Sequence, residues 1–393
     1  MIELKFDPKK GIWVEDEESV EKLRRNYFGH CVKGKIFLSG EEALYIVNFQ
    51  NGVCKYGDKV LGFDEIASHF IKEDPRLFIK YNAFRDWRDR GLIIRRVEEG
   101  VSGVSKAFKH YPSKKLKPEK LNVEIFWHPS SLFSVMEEKE TAKLLFEKFW
   151  LGQYGIYKQK RGNLLKLDFL ETIFLAKHFG VKVVNLETGK NESPDSIIKK
   201  MMKKREYTKQ LYDVYEDWRL SGFVVKTGFK FGSHFRIYFP GASPVKQGKW
   251  IHSKHVLHVF PKEQKMLISE WARVVRVAHS VKKTFILAIP KLEEKDYIDY
   301  PAPYVAYRRK KSGKQWVRET PEDPPRYLVA CVSEDEHIGG LELASLLKKA
   351  NDMNTELLLS ITDRETSVTY YLLKKVILPE SKYEYYEIEW FKP

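Results

Sequence analysis

The sequence predicts a mixed α and β protein (α+β, with small mixed sheets and flanking helices) built from repeated units. Two observations lead to this. The first is a motif present twice: Tyr81-Asn-Ala-Phe-Arg-Asp-Trp-Arg-Asp-Arg-Gly-Leu-Ile-Ile-Arg recurs as Tyr212-Asp-Val-Tyr-Glu-Asp-Trp-Arg-Leu-Ser-Gly-Phe-Val-Val-Lys. Its shared pattern is an amphipathic helix stopped by Gly91 or Gly222, with a buried strand at 92–94 or 223–225 following at once. The second is a pattern near the C-terminus. A strand-like run at 327–332 resembles the one at 255–260, and in each case a helix (340–350 or 269–279) leads through a short turn into another buried strand.

The remaining elements follow in order. Ser39 and Asp168 precede apolar runs and have Glu42 and Glu171 three residues on, the spacing of a capping box. Residues 97–120 are rich in Lys, Ser, Gly and Pro and read as a linker. Gly228 and Gly232 bracket a turn between strands. The first unit thus has the front half of a two-domain module, the third has the back half, and the middle has both. The expected organisation is a structural unit at 1–110, an N-terminal-type domain at 121–200, the second domain of the middle unit at 201–295 and a C-terminal structural unit at 300–393. Units one and three together rebuild one module around the complete one.

The chain has 393 residues, which suits two to four domains, and 43% hydrophobic residues, which argues against disorder. No apolar run approaches a membrane span of about 18 residues, and the opening Met1-Ile-Glu-Leu-Lys-Phe-Asp-Pro has no signal-peptide core. Cys31, Cys54 and Cys331 are scattered, so neither a disulfide framework nor a thiolate zinc site is expected, and a reducing, cytoplasmic setting is. The net charge is +15 and uneven. Residues 201–290 carry 17 Lys/Arg against 6 Asp/Glu, whereas 301–393 carry 14 against 15. A concentrated basic surface suits a polyanion such as nucleic acid.

The same basic stretch holds five of the eleven histidines, between His234 and His279. A metal site at His252, His255 and His258 is disfavoured. On a strand His255 would face away from the other two, and no cysteine or carboxylate completes the set.

Gly222-Phe-Val-Val-Lys-Thr-Gly-Phe-Lys-Phe-Gly-Ser-His-Phe-Arg-Ile-Tyr, then His252-Ser, then Arg276-Val-Ala-His-Ser-Val-Lys-Lys, closely resembles archaeal tRNA-splicing endonucleases (tRNA-intron endonucleases). The resemblance is specific over about 205–290 and looser over 121–200 and the flanking units, whose order resembles the fused three-unit, homodimeric form. His234 departs from the family, which usually has Asp or another small polar residue there. The resemblance implies a restriction-endonuclease-like small mixed sheet in the catalytic and C-terminal domains. It also implies excision of introns from precursor tRNA at bulge–helix–bulge sites, by metal-independent attack of the 2′-OH that leaves a 2′,3′-cyclic phosphate and a 5′-OH. No cofactor or metal is expected.

The family's catalytic tyrosine, histidine and lysine fall on Tyr238, His252 and Lys283. A histidine titrating near neutral pH suits a general acid, and a lysine suits the extra negative charge of a phosphorane. Tyr238 fits either a general base, if nearby cations lower its pKa, or an orienting donor. Pro324 and Thr355 align with His252 and Lys283, so the third unit is expected to be catalytically dead. Arg276 corresponds to the arginine with which the family clamps a bulged base. Lys158, Lys160 and Arg161, in a loop at 154–163, are candidate RNA contacts, or a solvated basic turn. Asp363 and Glu365 are the expected dimer-docking pair, ordinary hairpin charges being the alternative. A binding-only RNA protein of the same fold and a metal-dependent nuclease are the rival functions.

Overall fold

The computed structural model describes residues 1–155, 161–244, 252–381 and 383–393. The repeated motif forms the helices Leu77–Asp89 and Thr208–Leu220. Gly91 and Gly222 adopt φ of 72° and 89°, and the next amides reach back to Trp87 O and Trp218 O. Positive φ at this position is what glycine permits. Gly222 is further constrained, because a Cβ there would meet Lys114 O at 1.9 Å.

The Asp-Trp-Arg triplet recurs for tertiary reasons. Trp87 and Trp218 are fully buried. Arg88 donates to the carbonyls of Asn26, Tyr27 and Ile94, and Arg219 to those of Phe149 and Phe223. Asp86 accepts from the Tyr370 hydroxyl and Asp217 from the Tyr385 hydroxyl, at 2.9 and 2.6 Å. Each motif thus ties its helix to the C-terminal unit.

Both capping boxes form, and the helices begin at Gly40 and Phe169. They pack on separate sheets. One joins six strands from residues 2–61, and the other joins Leu165–Asp168, Phe133–Met136, Glu124–His128 and Lys182–Asn185 in that order.

Among the described residues the largest sheet has eleven strands. From one edge run Val224–Thr227, Phe235–Tyr238, His255–Val259 and Thr284–Ile289, paired antiparallel, antiparallel and parallel. From the other edge run Ile94–Arg96, Tyr304–Ala306, Tyr327–Ser333 and Glu356–Thr362, with the same sequence of pairings. Glu384–Phe391 and Val368–Ile377 join the two halves. The strand Ile94–Arg96, from the first unit, therefore completes the sheet of the third.

The likeness of the halves extends to single hydrogen bonds. Lys254 N donates to Ile237 O, as Arg326 N does to Ala306 O; Lys283 N donates to Ala278 O, as Thr355 N does to Ala350 O. The two modules also pair Lys265–Leu267 with His337–Gly339. Trp271 and Val275 share a core with Leu343 and Leu347 from the equivalent helix.

Several boundaries differ from the sequence expectation. The strands after the glycines start at Ile94 and Val224, because the intervening residues close the helix cap. The C-terminal helices run Ile268–Ser280 and Gly340–Asp352. The 97–120 segment is sewn to its neighbours. Phe108–His110 pairs parallel with Val368–Ile377, and the amides of Lys114 and Leu116 donate to Ser221 O and Leu220 O. Its composition signals the lack of long regular elements, but does not show that the central strand Val368–Ile377 and the helix end at Leu220 and Ser221 would bind it. No helix among the described residues is long and apolar enough to cross a membrane.

Candidate active site

The sheet topology brings Tyr238, His252 and Lys283 to one end of the catalytic half. Tyr238 ends the strand Phe235–Tyr238. His252 lies three residues before the antiparallel strand His255–Val259, and Lys283 immediately precedes Thr284–Ile289, parallel to it. The end of the first strand and the starts of the next two lie on one side.

Local contacts hold these groups. Lys283 Nζ donates to Ser253 O at 2.9 Å, which ties it to the residue after His252, and it sits 5.4 Å from the Phe231 ring centroid. Partial burial, followed by the charges of Arg236 and Lys254, holds the Lys283 ammonium below its ordinary pKa. The Tyr238 ring is buried against Trp150, centroids 4.8 Å apart, with the Arg236 guanidinium 6.0 Å from its centroid. His252 is exposed.

The path from Arg276 to Lys283 is not one continuous helix. The helix ends at Ser280, Lys282 turns to φ 55°, and Lys283 N closes the end onto Ala278 O. The second module has Asn354 at the matching turn, with φ 52°. Asparagine enters this left-handed region more readily than lysine, so the catalytic module carries backbone strain next to Lys283. Arg276 itself is exposed on the helix.

The second module keeps part of the constellation. Tyr307 N donates to Ile93 O at 3.0 Å, the register of Tyr238 opposite Val224, so Tyr307 stands where Tyr238 does. Thr355, in place of Lys283, is buried with its hydroxyl on Ala350 O, and Pro324 precedes the strand as His252 does. Sequence comparison missed Tyr307 because it becomes visible only through strand register.

It also missed the cationic neighbours Arg236 and Lys254, and the buried pair Lys226–Glu171 at 2.8 Å. Lys226 and Arg236 line a cleft of about 570 Å³ with Lys166, Lys230 and Phe229, whose ring is 86% exposed. Basic residues interspersed with phenylalanines along 226–236 were the available signal.

The histidines separate as strand alternation requires. His255 is buried beside Tyr111, whose hydroxyl lies 3.3 Å from its Nδ1. His258 stacks on His234, centroids 4.2 Å apart. His234 Nδ1 accepts from Val259 N at 2.9 Å, and Nε2 lies 3.2 Å from the Tyr207 hydroxyl. His234 thus locks a helix start to two strands. Among the described residues no group of three or more His, Cys, Asp or Glu side chains could hold a metal ion.

Lys158 and Lys160 lie outside the described residues, whereas Arg161 is exposed. Asp363 caps its own turn by accepting from Glu365 N and Ser367 N, at 2.9 and 2.8 Å. Glu365 is exposed beside it.

Residues 208–300 match the family model described as tRNA intron endonuclease, catalytic C-terminal domain. A tRNA-splicing endonuclease of Methanococcoides burtonii is 36% identical over 352 residues, covering 74% of this chain and 97% of the relative. One of Methanosarcina mazei is 26% identical over 334 residues, covering 72% and 94%. A tRNA-splicing endonuclease of Methanopyrus kandleri is 33% identical over 141 residues, covering 36% of this chain and 75% of the relative. Through an identity and coverage that span both modules, the chain belongs to the tRNA-splicing endonuclease family.

Proposed function

We propose that the chain excises introns from precursor tRNA at bulge–helix–bulge sites without a metal. The supporting observation is the convergence of Tyr238, His252 and Lys283 at one end of the sheet, with Lys283 tethered beside His252. Tyr238, acting as its phenolate beside the cations Arg236 and Lys283, takes the proton of the ribose 2′-OH and becomes the neutral phenol. The 2′-oxygen bonds to phosphorus, and Lys283 offsets the negative charge of the phosphorane. The bond from phosphorus to the 5′-oxygen breaks as His252 protonates the leaving oxygen. The products are a 2′,3′-cyclic phosphate and a 5′-OH.

The deciding experiment is cleavage of a bulge–helix–bulge precursor tRNA in excess EDTA, with analysis of the product ends. Cyclic-phosphate ends are expected. RNA bound but uncut would overturn the reading in favour of a binding-only protein, and cleavage abolished by EDTA would favour a metal-dependent nuclease.

One chain carries one complete constellation and the substrate motif has two cleavage sites, so the working form is a two-fold homodimer in the cytoplasm. Arg276, exposed on its helix, stacks on a bulged base, and Arg161 with Lys158 and Lys160 contacts the RNA backbone. Arg276→Lys keeps the charge but loses the planar stacking surface, so kcat/KM should fall about tenfold. Normal cleavage by this variant would exclude the clamp.

Asp363 and Glu365 form the docking loop, Asp363 shaping the turn and Glu365 meeting the partner chain. The equivalent loop of the catalytic module is less available, since Asp296 pairs with Lys262 and Glu294 with Lys348. Asp363→Ala/Glu365→Ala is expected to shift the dimer to monomer in sedimentation. An unchanged dimer would remove the loop from the interface.

A further inference from the structure

The second module has a hairpin, Arg309–Ser312 paired with Gln315–Arg318, between its tyrosine and proline positions. The catalytic module has the segment leading to His252 at the corresponding place in the chain. Register puts Arg309 directly opposite Arg318, and Lys311 directly opposite Trp316. Because side chains alternate along a strand, all four share one face. Like charges placed directly opposite each other destabilise a hairpin; Arg309 offsets part of this by donating to Arg90 O at 3.1 Å, and an anion on the face would offset the rest.

Two of the carboxylates that follow the hairpin are engaged elsewhere. Asp323 pairs with Lys310, on the opposite face, and Glu319 pairs with Arg326. Trp316 is 68% exposed. Beside the hairpin lies a hollow of about 660 Å³, lined by Arg308, Arg309, Lys311, Trp316, Arg326 and Lys392 among others, with no acidic side chain in its lining. Cations that track a phosphate backbone, interleaved with an exposed indole on which a base can stack, are what single-stranded or irregular RNA requires.

We propose that this hairpin face is a second RNA-binding surface, which grips the precursor tRNA outside the cleaved motif. Pro324 and Thr355 occupy the His252 and Lys283 positions in this module, so the RNA is held here without being cut. The inference rests on the proposed function for its ligand, although binding and cleavage can be measured separately.

The test uses His252→Ala full-length chain and fluorescently labelled RNA. The precursor tRNA and a minimal bulge–helix–bulge duplex are titrated in parallel over a range of salt. Adding Lys311→Ala and Trp316→Ala should raise Kd for the precursor about tenfold relative to the minimal duplex. It should also lower the salt slope for the precursor by roughly one. Lys10→Ala, in an exposed turn of the first unit, is the control for the loss of one charge. If the hairpin variant matched this control in both ratio and slope, the proposal would be overturned. Displacement of the precursor by polyglutamate at equal charge would also overturn it, by assigning the face to an acidic protein segment. If wild type bound the precursor through this face but cut nothing in EDTA, the proposed function would fail and this inference would stand.

Discussion

A His252→Ala chain is expected to cleave precursor tRNA about 10²–10⁴-fold more slowly under single-turnover conditions, the usual range for removing a general acid. Two features make the result interpretable. His252 is exposed, so truncating it opens no cavity in the core and the melting temperature should stay within a few degrees. Lys283 is anchored on the backbone carbonyl of Ser253, which the substitution leaves in place. A loss of rate with intact RNA binding and stability would therefore report the missing proton donor. In the proposed mechanism the proton goes to the leaving 5′-oxygen, so a substrate with a 5′-thio leaving group, which needs no protonation, should recover much of the lost rate. Unchanged cleavage by the variant would remove His252 from the mechanism, and loss on both substrates alike would reduce it to a positioning residue.

Much of this architecture is legible in the sequence wherever the cause is local. The glycine stops at Gly91 and Gly222 and the capping boxes at Ser39 and Asp168 each need only a few adjacent residues. The Asp-Trp-Arg repeat is also visible, but its reason is not. Asp86 and Asp217 are held by Tyr370 and Tyr385, roughly 170 to 280 residues away in the chain. The strand Glu384–Phe391 lies between the two half-sheets, an arrangement no local pattern predicts.

Tyr238, His252 and Lys283 were candidates through the family resemblance alone, and the structure places all three at strand ends on one side of the sheet. Arg236 and Lys254 escaped notice, since their effect on Lys283 depends on strand neighbours. The turn between the helix at 269–279 and the next strand was legible, but its backbone form was not. Lys282 takes a left-handed conformation that propensity alone assigns to glycine or asparagine.

The second large effect concerns acid stability, and it arises from the histidines that the mechanism does not use. Burial pushes His234 and His255 down to about 3 and His258 down to about 4, with neighbouring positive charge assisting at His234 and His255. In the unfolded chain each titrates near 6.5. Below that pH the unfolded state binds more protons, so stability is full above about 6.5 and is lost as pH falls toward 4. At pH 5 each group costs about 2 kcal/mol, and the three together cost about 6 kcal/mol, a large share of a typical folding free energy. The geometry supports the direction of the effect, because His234 accepts an amide proton at Nδ1 and lies against His258, so charging both rings places like charges about 4 Å apart. Thermal melts in buffers of equal ionic strength should show a steep fall in melting temperature between pH 6.5 and 5. A His258→Gln chain should be less stable at pH 7.5 but lose stability less steeply with acid. A flat stability profile from pH 7 to 5 would show that these rings can be protonated in the folded protein, contradicting the buried, neutral arrangement that holds the strand His255–Val259 behind Tyr238, His252 and Lys283.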